Sequence, residues 1–324
     1  MDKIEIYIDE LLEKSTPDRP IWNIEKILQG LKSTWNYIDG CMIKAILEMY
    51  AITKDEKYFR FADNFIDCKV REDGSIEGYS VEELNIDNVN AGKTLFELYD
   101  LTGKEKYRKA IDLVYSQIEQ MPRTGEGNFW HKNIYPNQVW LDGLYMCQPF
   151  YMEYETRFHE KKNYDDIFRQ FFNVVEHMRD PKTGLYYHAY DSSREMFWCD
   201  KVTGLSQNFW LRALGWYSMA LLDTLDKADA SVGEPYERLK KVFVDLMDAM
   251  LKYQDASGMW YQVVNFGGME KNYLETSGSS IMAYALLKGV RLGFLPENYQ
   301  TYGAKAFHGI CEKYLSEDAD GSLH

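Results

Sequence analysis

Apolar residues recur along this chain at two kinds of spacing. In the first they form one stripe at the helical period: Tyr58, Phe61, Ala62 and Phe65 share a face, as do Tyr236, Leu239, Phe243, Leu246 and Met250. These segments predict amphipathic helices that pack inward on one side. In the second, around 36–52, 86–102, 139–156, 208–227 and 273–292, apolar or aromatic residues run nearly all round, which predicts buried helices. The two kinds alternate. Ahead of the buried segments come glycine turns followed by small, aromatic or β-branched residues, as in Asp73-Gly74-Ser75-Ile76, Gly125-Glu126-Gly127-Asn128-Phe129-Trp130, Lys182-Thr183-Gly184-Leu185-Tyr186-Tyr187 and Ser257-Gly258-Met259-Trp260-Tyr261. The repeating unit is therefore outer helix, turn, short extended piece, inner helix.

An internal echo supports that unit. Leu47-Glu48-Met49-Tyr50-Ala51-Ile52-Thr53 returns as Phe96-Glu97-Leu98-Tyr99-Asp100-Leu101-Thr102, and each copy runs on to a Lys-Tyr pair, Lys57-Tyr58 and Lys106-Tyr107. A period near fifty residues with helical patterning indicates stacked helical hairpins. Counted from Lys3, six outer and five inner helices are expected, because the sequence stops after a sixth turn, Asp320-Gly321-Ser322-Leu323. The expectation is one all-α domain over 1–324, a ring of hairpins lacking its last inner helix.

Composition narrows the function. With 37 Lys and Arg against 51 Asp and Glu the net charge is -14, which repels a phosphate backbone, and no basic run offsets it, so nucleic acid is not expected as a partner. An anionic small substrate remains compatible, since a few cations inside a pocket set the local potential. The N-terminal ten residues mix acids with apolar positions and read as an amphipathic helix without a secretory core. No stretch nears the roughly 18 apolar residues of a membrane span. A soluble, cytoplasmic protein without a membrane partner is expected. Cys41, Cys68, Cys147, Cys199 and Cys311 are scattered with no CxxC pairing, and the six histidines lack metal-ligand spacing, so neither disulfide framework, metal nor cofactor is expected.

Inner helices of such a ring start at one end, where functional groups gather around a cavity. The third opens with Trp140-Leu141-Asp142-Gly143 and the second with Ile86-Asp87-Asn88, each with a carboxylate in its first turn. Tyr187-His188 precede the fourth, which carries Trp210, Arg212 and Trp216. Carboxylates transfer protons, indoles stack on pyranose faces and arginine pairs with a uronate. Plainer roles fit the same residues: Asp142 and Asp87 as helix caps, His188 as a loop histidine, Trp210 and Trp216 as core. Arg212 on a buried helix requires an acid, from substrate or from protein.

The run Phe129-Trp130-His131-Lys132-Asn133-Ile134-Tyr135-Pro136, continuing through Gln138-Val139-Trp140-Leu141-Asp142-Gly143-Leu144-Tyr145-Met146 to Pro149-Phe150, resembles the unsaturated rhamnogalacturonyl hydrolases of glycoside hydrolase family 105. Asp87-Asn88, His188 and Trp210-Leu211-Arg212-Ala213-Leu214-Gly215-Trp216 extend the resemblance over most of the chain. It implies an (α/α)6 toroid, close to the unsaturated glucuronyl hydrolases of family 88. It further implies that Asp142 is the general acid and base, with Asp87 as second carboxylate and His188 beside them. Asn88, His131, Lys132, Trp140, Trp210, Arg212, Trp216 and, more loosely, Tyr37 would contact an unsaturated acidic oligosaccharide. The chemistry implied is removal of a terminal 4,5-unsaturated uronic acid by protonating and hydrating its double bond, which calls for an Asp142 that is un-ionised near neutral pH. Two other functions fit the same residues: an inverting glycosidase acting on saturated sugars, and a noncatalytic sugar-binding protein.

Overall fold

The computed structural model describes residues 3–319 and 321–323. The chain forms two compact units, one from Met1–Met121 with Ser316–His324 and one from Pro122–Leu315.

The first unit contains α1 (Lys3–Glu13), a short α2 (Ile24–Leu28), α3 (Tyr37–Thr53), α4 (Glu56–Asp67), a 3-10 segment (Ile86–Gly92) leading into α5 (Lys93–Thr102), and α6 (Glu105–Gln120). The sequence echo is structural. Thr53 and Thr102 each end an inner helix, their hydroxyls bonding back to Met49 O and Leu98 O, and a left-handed residue follows, Lys54 at φ 59° or Gly103 at φ 67°. The echoed tyrosines, Tyr58 and Tyr107, are wholly buried, and each donates to an aspartate on the preceding outer helix, Asp9 or Asp63. α4 buries Tyr58, Ala62, Phe65 and Ile66 along one face, each large apolar side chain contributing roughly 1.5–3 kcal/mol.

Two features of this unit depart from expectation. α3 buries only one side, and Ile52 near its end is 71% exposed. The second inner helix begins as a 3-10 coil in which Asn85 accepts from Asp87 N–H, and its Ala91 packs so close to α3 that a Cβ at Gly40 would lie 2.6 Å from Ala91 Cα. At the other end of the sequence Asp318 N–H bonds Ser322 O in the sixth turn, and Leu323 N–H points at the Glu10 carboxylate; Asp320 lies outside the described residues.

The second unit contains β1 (Gln138–Trp140), α7 (Leu141–Phe158), α8 (Tyr164–Met178), β2 (Ala189–Asp191), α9 (Leu211–Lys227), α10 (Glu234–Leu251), α11 (Thr276–Arg291) and α12 (Tyr299–Tyr314). α7, α9 and α11 pack successively as inner helices, and α8, α10 and α12 lie against them. β1 and β2 are antiparallel, with Trp140 opposite Ala189. The expected glycine turns close single-bridge hairpins at Arg123–Phe129 and Arg179–Tyr186, with Gly127 and Gly184 at positive φ. Among the described residues no helix is long and apolar enough to cross a membrane.

Candidate active site

Two inner helices of the second unit start in an unusual way. α7 and α9 have no side-chain cap; their first amides are taken instead by backbone carbonyls of following segments, Leu141 N–H by His188 O at 3.0 Å and Leu211 N–H by Gln262 O at 2.8 Å. Each clamp brings a neighbouring segment to a helix head. At α7 it sets His188 against Asp142, with His188 Nε2 3.0 Å from Asp142 Oδ2. Among the described residues neither atom makes a hydrogen bond of good geometry, even to the other, and both are enclosed. The Asp142 side chain as a whole keeps 17% of its surface open.

Burial is the largest influence on Asp142 and pushes its carboxyl up, but the contact with His188 and the fields of His188 and His131 together outweigh it, so the carboxyl lies below the usual carboxylate range. The helix N-terminus acts in the same direction. This runs against the expectation of an Asp142 un-ionised near neutral pH: His188, expected beside it, and His131 together outweigh its burial.

Aromatic rings enclose the pair. The Trp140 indole lies nearly parallel to His131 at 4.4 Å and to Tyr135 at 5.2 Å, and edge-on to His188 at 5.5 Å. His131 is buried and reaches the site through Trp140. Trp210 stands 4.9 Å from His188 on the other side, and the Arg212 guanidinium covers Trp210 at 4.4 Å. Lys132 sets its ammonium 5.9 Å from the Tyr135 ring. Trp216 stacks on Tyr145 of α7 at 5.1 Å, one turn deeper along α9.

Arg212 meets its required acid within the protein. Its Nη1 lies 2.9 Å from Glu275 Oε1, and Glu275 also accepts from Ser277 Oγ and Gly278 N–H, capping α11. The sequence reading had not singled out Glu275; the signal was an acid three residues before Gly278, which must be glycine because a Cβ there would meet Leu211 Cγ at 2.5 Å.

A cavity of about 630 Å³ opens beside the pair, walled by Trp140, His188 and Tyr135 together with Gln138 and a loop carrying Met196, Phe197 and Trp198. Asp142 stands behind His188 and is absent from this wall. The loop aromatics were missed in the sequence because they sit among charged and polar residues that read as a surface turn. Of the expected residues, Asp142, His188, His131, Lys132, Trp140, Trp210, Arg212 and Trp216 thus belong to the second unit. Tyr37, Asp87 and Asn88 belong to the first, where Tyr37 opens α3, Asp87 lies half-buried in the 3-10 segment, and Asn88 accepts from the Trp35 indole through its carbonyl and donates to Glu83. Among the described residues no three His, Cys, Asp or Glu side chains converge as metal ligands.

The sequence model described as Glycosyl Hydrolase Family 88 matches residues 13–324. The unsaturated rhamnogalacturonyl hydrolase YesR of Bacillus subtilis is 27% identical over 314 residues, 95% of this chain and 83% of its own. A glycoside hydrolase from family 105 of C. acetobutylicum superposes with a TM-score of 0.88 at 44% identity, covering 98% of this chain and 86% of that one. The unsaturated glucuronyl hydrolase of Bacillus sp. GL1 shares the fold at a TM-score of 0.68 and 13% identity, over 90% of this chain and 78% of that one. The all-α hairpin class expected from the sequence is the fold of these structures.

Proposed function

This chain belongs to glycosyl hydrolase family 88, and we propose that it removes terminal 4,5-unsaturated uronic acids from lyase-generated acidic oligosaccharides of the pectin and rhamnogalacturonan type. The observation that carries the reading is the Asp142–His188 contact at the head of α7, set among Trp140, Trp210 and His131. The likeness to YesR supports the substrate class.

The substrate is an enol ether, so protonation at C4 leaves oxocarbenium character shared by C5 and the ring oxygen. Asp142 gives that proton. Water then adds at C5 and returns a proton to Asp142; the hemiketal formed opens the ring and expels the remaining sugar. No covalent enzyme intermediate is needed. In the free protein the carboxyl sits low, but the arriving uronate adds a negative charge beside an enclosed carboxylate and raises it, so the protonated donor forms in the complex. His188, in contact with Asp142, supplies the route by which that proton is shared.

Arg212, held over Trp210 by Glu275, and Lys132 are the cations assigned to the uronate. Tyr37, Asp87 and Asn88 are assigned to substrate by resemblance, with Asp87 as second carboxylate. A cytoplasmic location, with no nucleic-acid or membrane partner, completes the reading. The deciding experiment incubates the protein with a panel of unsaturated disaccharides and follows loss of the double bond's ultraviolet absorbance. Loss with at least one uronide is expected; release of sugar from saturated oligosaccharides alone would replace this function with that of an inverting glycosidase.

A further inference from the structure

Between β2 and α9 the chain makes an excursion whose two ends are tied to each other. Tyr190 pairs with Leu205, Asp191 N–H bonds Gly204 O at 2.9 Å, and Ser206 N–H bonds Ala189 O at 2.9 Å. Gly204 is held at φ 79° with the Asp191 carbonyl 2.5 Å from where its Cβ would stand, so the closure demands glycine.

Within this loop the backbone of 194–196 is gripped on both sides. Asp191, fully buried, accepts from Ser193 N–H through Oδ1 and from Glu195 and Met196 N–H through Oδ2, both of the latter at 2.8 Å. Lys201 gives its ammonium to the carbonyls of Arg194, Glu195 and Met196 at 3.2, 2.9 and 2.6 Å. A carboxylate thus binds the amides and an ammonium the carbonyls. Six charge-assisted bonds on a few residues are far more than a surface turn requires. Their effect is to hold Phe197 out into solvent, 90% exposed, beside the half-buried Trp198.

Holding a phenyl ring in water is costly unless something covers it. The ring lines the cavity that His188 and Trp140 also line, so what covers it is continuous with the candidate active site. Among the described residues lining that cavity there is no Asp, Glu, Lys or Arg; aromatic faces alternate with amides and a hydroxyl from Gln138, Gln207, Asn208 and Ser206. That combination suits an uncharged sugar, whose C–H face stacks and whose hydroxyls bond to amides.

We propose that the Phe197–Trp198 pair is the platform for the saccharide that leaves when the unsaturated uronic acid is removed, and that Asp191 and Lys201 are positioning residues that hold it. This deepens the function proposed above and rests on it for the identity of the departing sugar. Because Phe197 touches little of the protein, its removal does not threaten folding.

The test compares two substrates carrying the same unsaturated galacturonic acid, one with a rhamnogalacturonan-derived saccharide as leaving group and one with methyl. In Phe197→Ala and Trp198→Ala the ratio of kcat/KM for saccharide over methyl is expected to fall about fivefold each, mainly through KM. Lys201→Met is expected to lower the same ratio and Lys201→Arg to restore part of it. An equal loss on both substrates, or an unchanged ratio, overturns the platform. Calorimetric titration of the neutral-ended saccharide product into wild type and Phe197→Ala separates the two proposals. If wild type turns over neither substrate but binds the saccharide and Phe197→Ala does not, the hydrolase reading falls and the platform stands. If turnover is normal and both proteins bind the saccharide equally, the platform falls alone.

Discussion

Asp39 and Asp142 occupy the same kind of place in the two units: the first turn of an inner helix, enclosed, with aromatic neighbours. They titrate in opposite directions. Asp39 accepts from Ser33 Oγ at 2.7 Å, Trp22 Nε1 at 2.9 Å and Asn36 Nδ2 at 2.9 Å, and Asn36 in turn caps the Asp39 amide. Burial still dominates, and the Asp39 carboxyl is raised despite these donors and the more distant Lys69. Asp142 is in contact with one histidine and feels the field of a second, and it is lowered. The contrast teaches that neutral hydrogen bonds and a more distant ammonium leave a buried carboxylate short of overcoming its desolvation, whereas an ionisable partner in contact, backed by a second one, overcomes it.

The comparison breaks most sharply at Asp142. Asp142→Asn is expected to lower kcat by about a thousandfold or more, the scale of a lost proton donor, with binding of the unsaturated disaccharide largely retained. Single-turnover rates beside calorimetric affinities measure both halves, and full turnover would remove Asp142 from the chemistry. His188→Ala comes next, with an expected loss of about ten- to a hundredfold. Deleting the imidazole leaves burial as the main influence on Asp142, so its carboxyl rises and the enzyme stays protonated to higher pH. The alkaline limb of kcat/KM should therefore move upward; a limb that stays in place would show that His188 does not hold the carboxyl down.

Arg212→Met should act mainly through substrate binding, raising KM about tenfold for the uronide, which is read from initial rates. The smallest effect is expected at Asp39→Asn, and it is one of stability. A carboxyl raised in the folded state weakens folding while ionised, and that cost is relieved as pH falls through the raised folded value toward the unfolded one, about 3.9. Wild type should gain on the variant between neutral and acid pH, as urea midpoints would show. Asp142 has the opposite sign, since its contribution is present above the unfolded value and lost as pH falls through the lowered folded one.

Helix order was legible because alternation between one-sided and all-round apolar patterning follows from where each helix sits. The outer helices α1, α4 and α10 and every inner segment from α3 to α11 lie close to where periodicity placed them. The grouping of residues at helix heads was legible in part: Asp142, His188, Trp140 and Trp210 meet because β1 and β2 pair and the His188 carbonyl clamps α7. Glu275 escaped notice because a capping acid looks like any other acid until its arginine is found across sixty residues of chain. Phe197 and Trp198 escaped because what fixes them is backbone bonding to Asp191 and Lys201, which leaves no periodic trace. The protonation of Asp142 was misjudged for a related reason, since neighbours decide it and sequence spacing does not show neighbours.

The knot of bonds that closes 189–206 on itself bears on how new specificities could arise. Since Ala189, Asp191, Gly204 and Ser206 join the ends of the excursion to each other, its tip can lengthen, shorten or change its rings with the helices on either side left where they are. Under the platform proposed above, a change of saccharide preference would then take only a dozen or so residues, with the Asp142–His188 contact left in place.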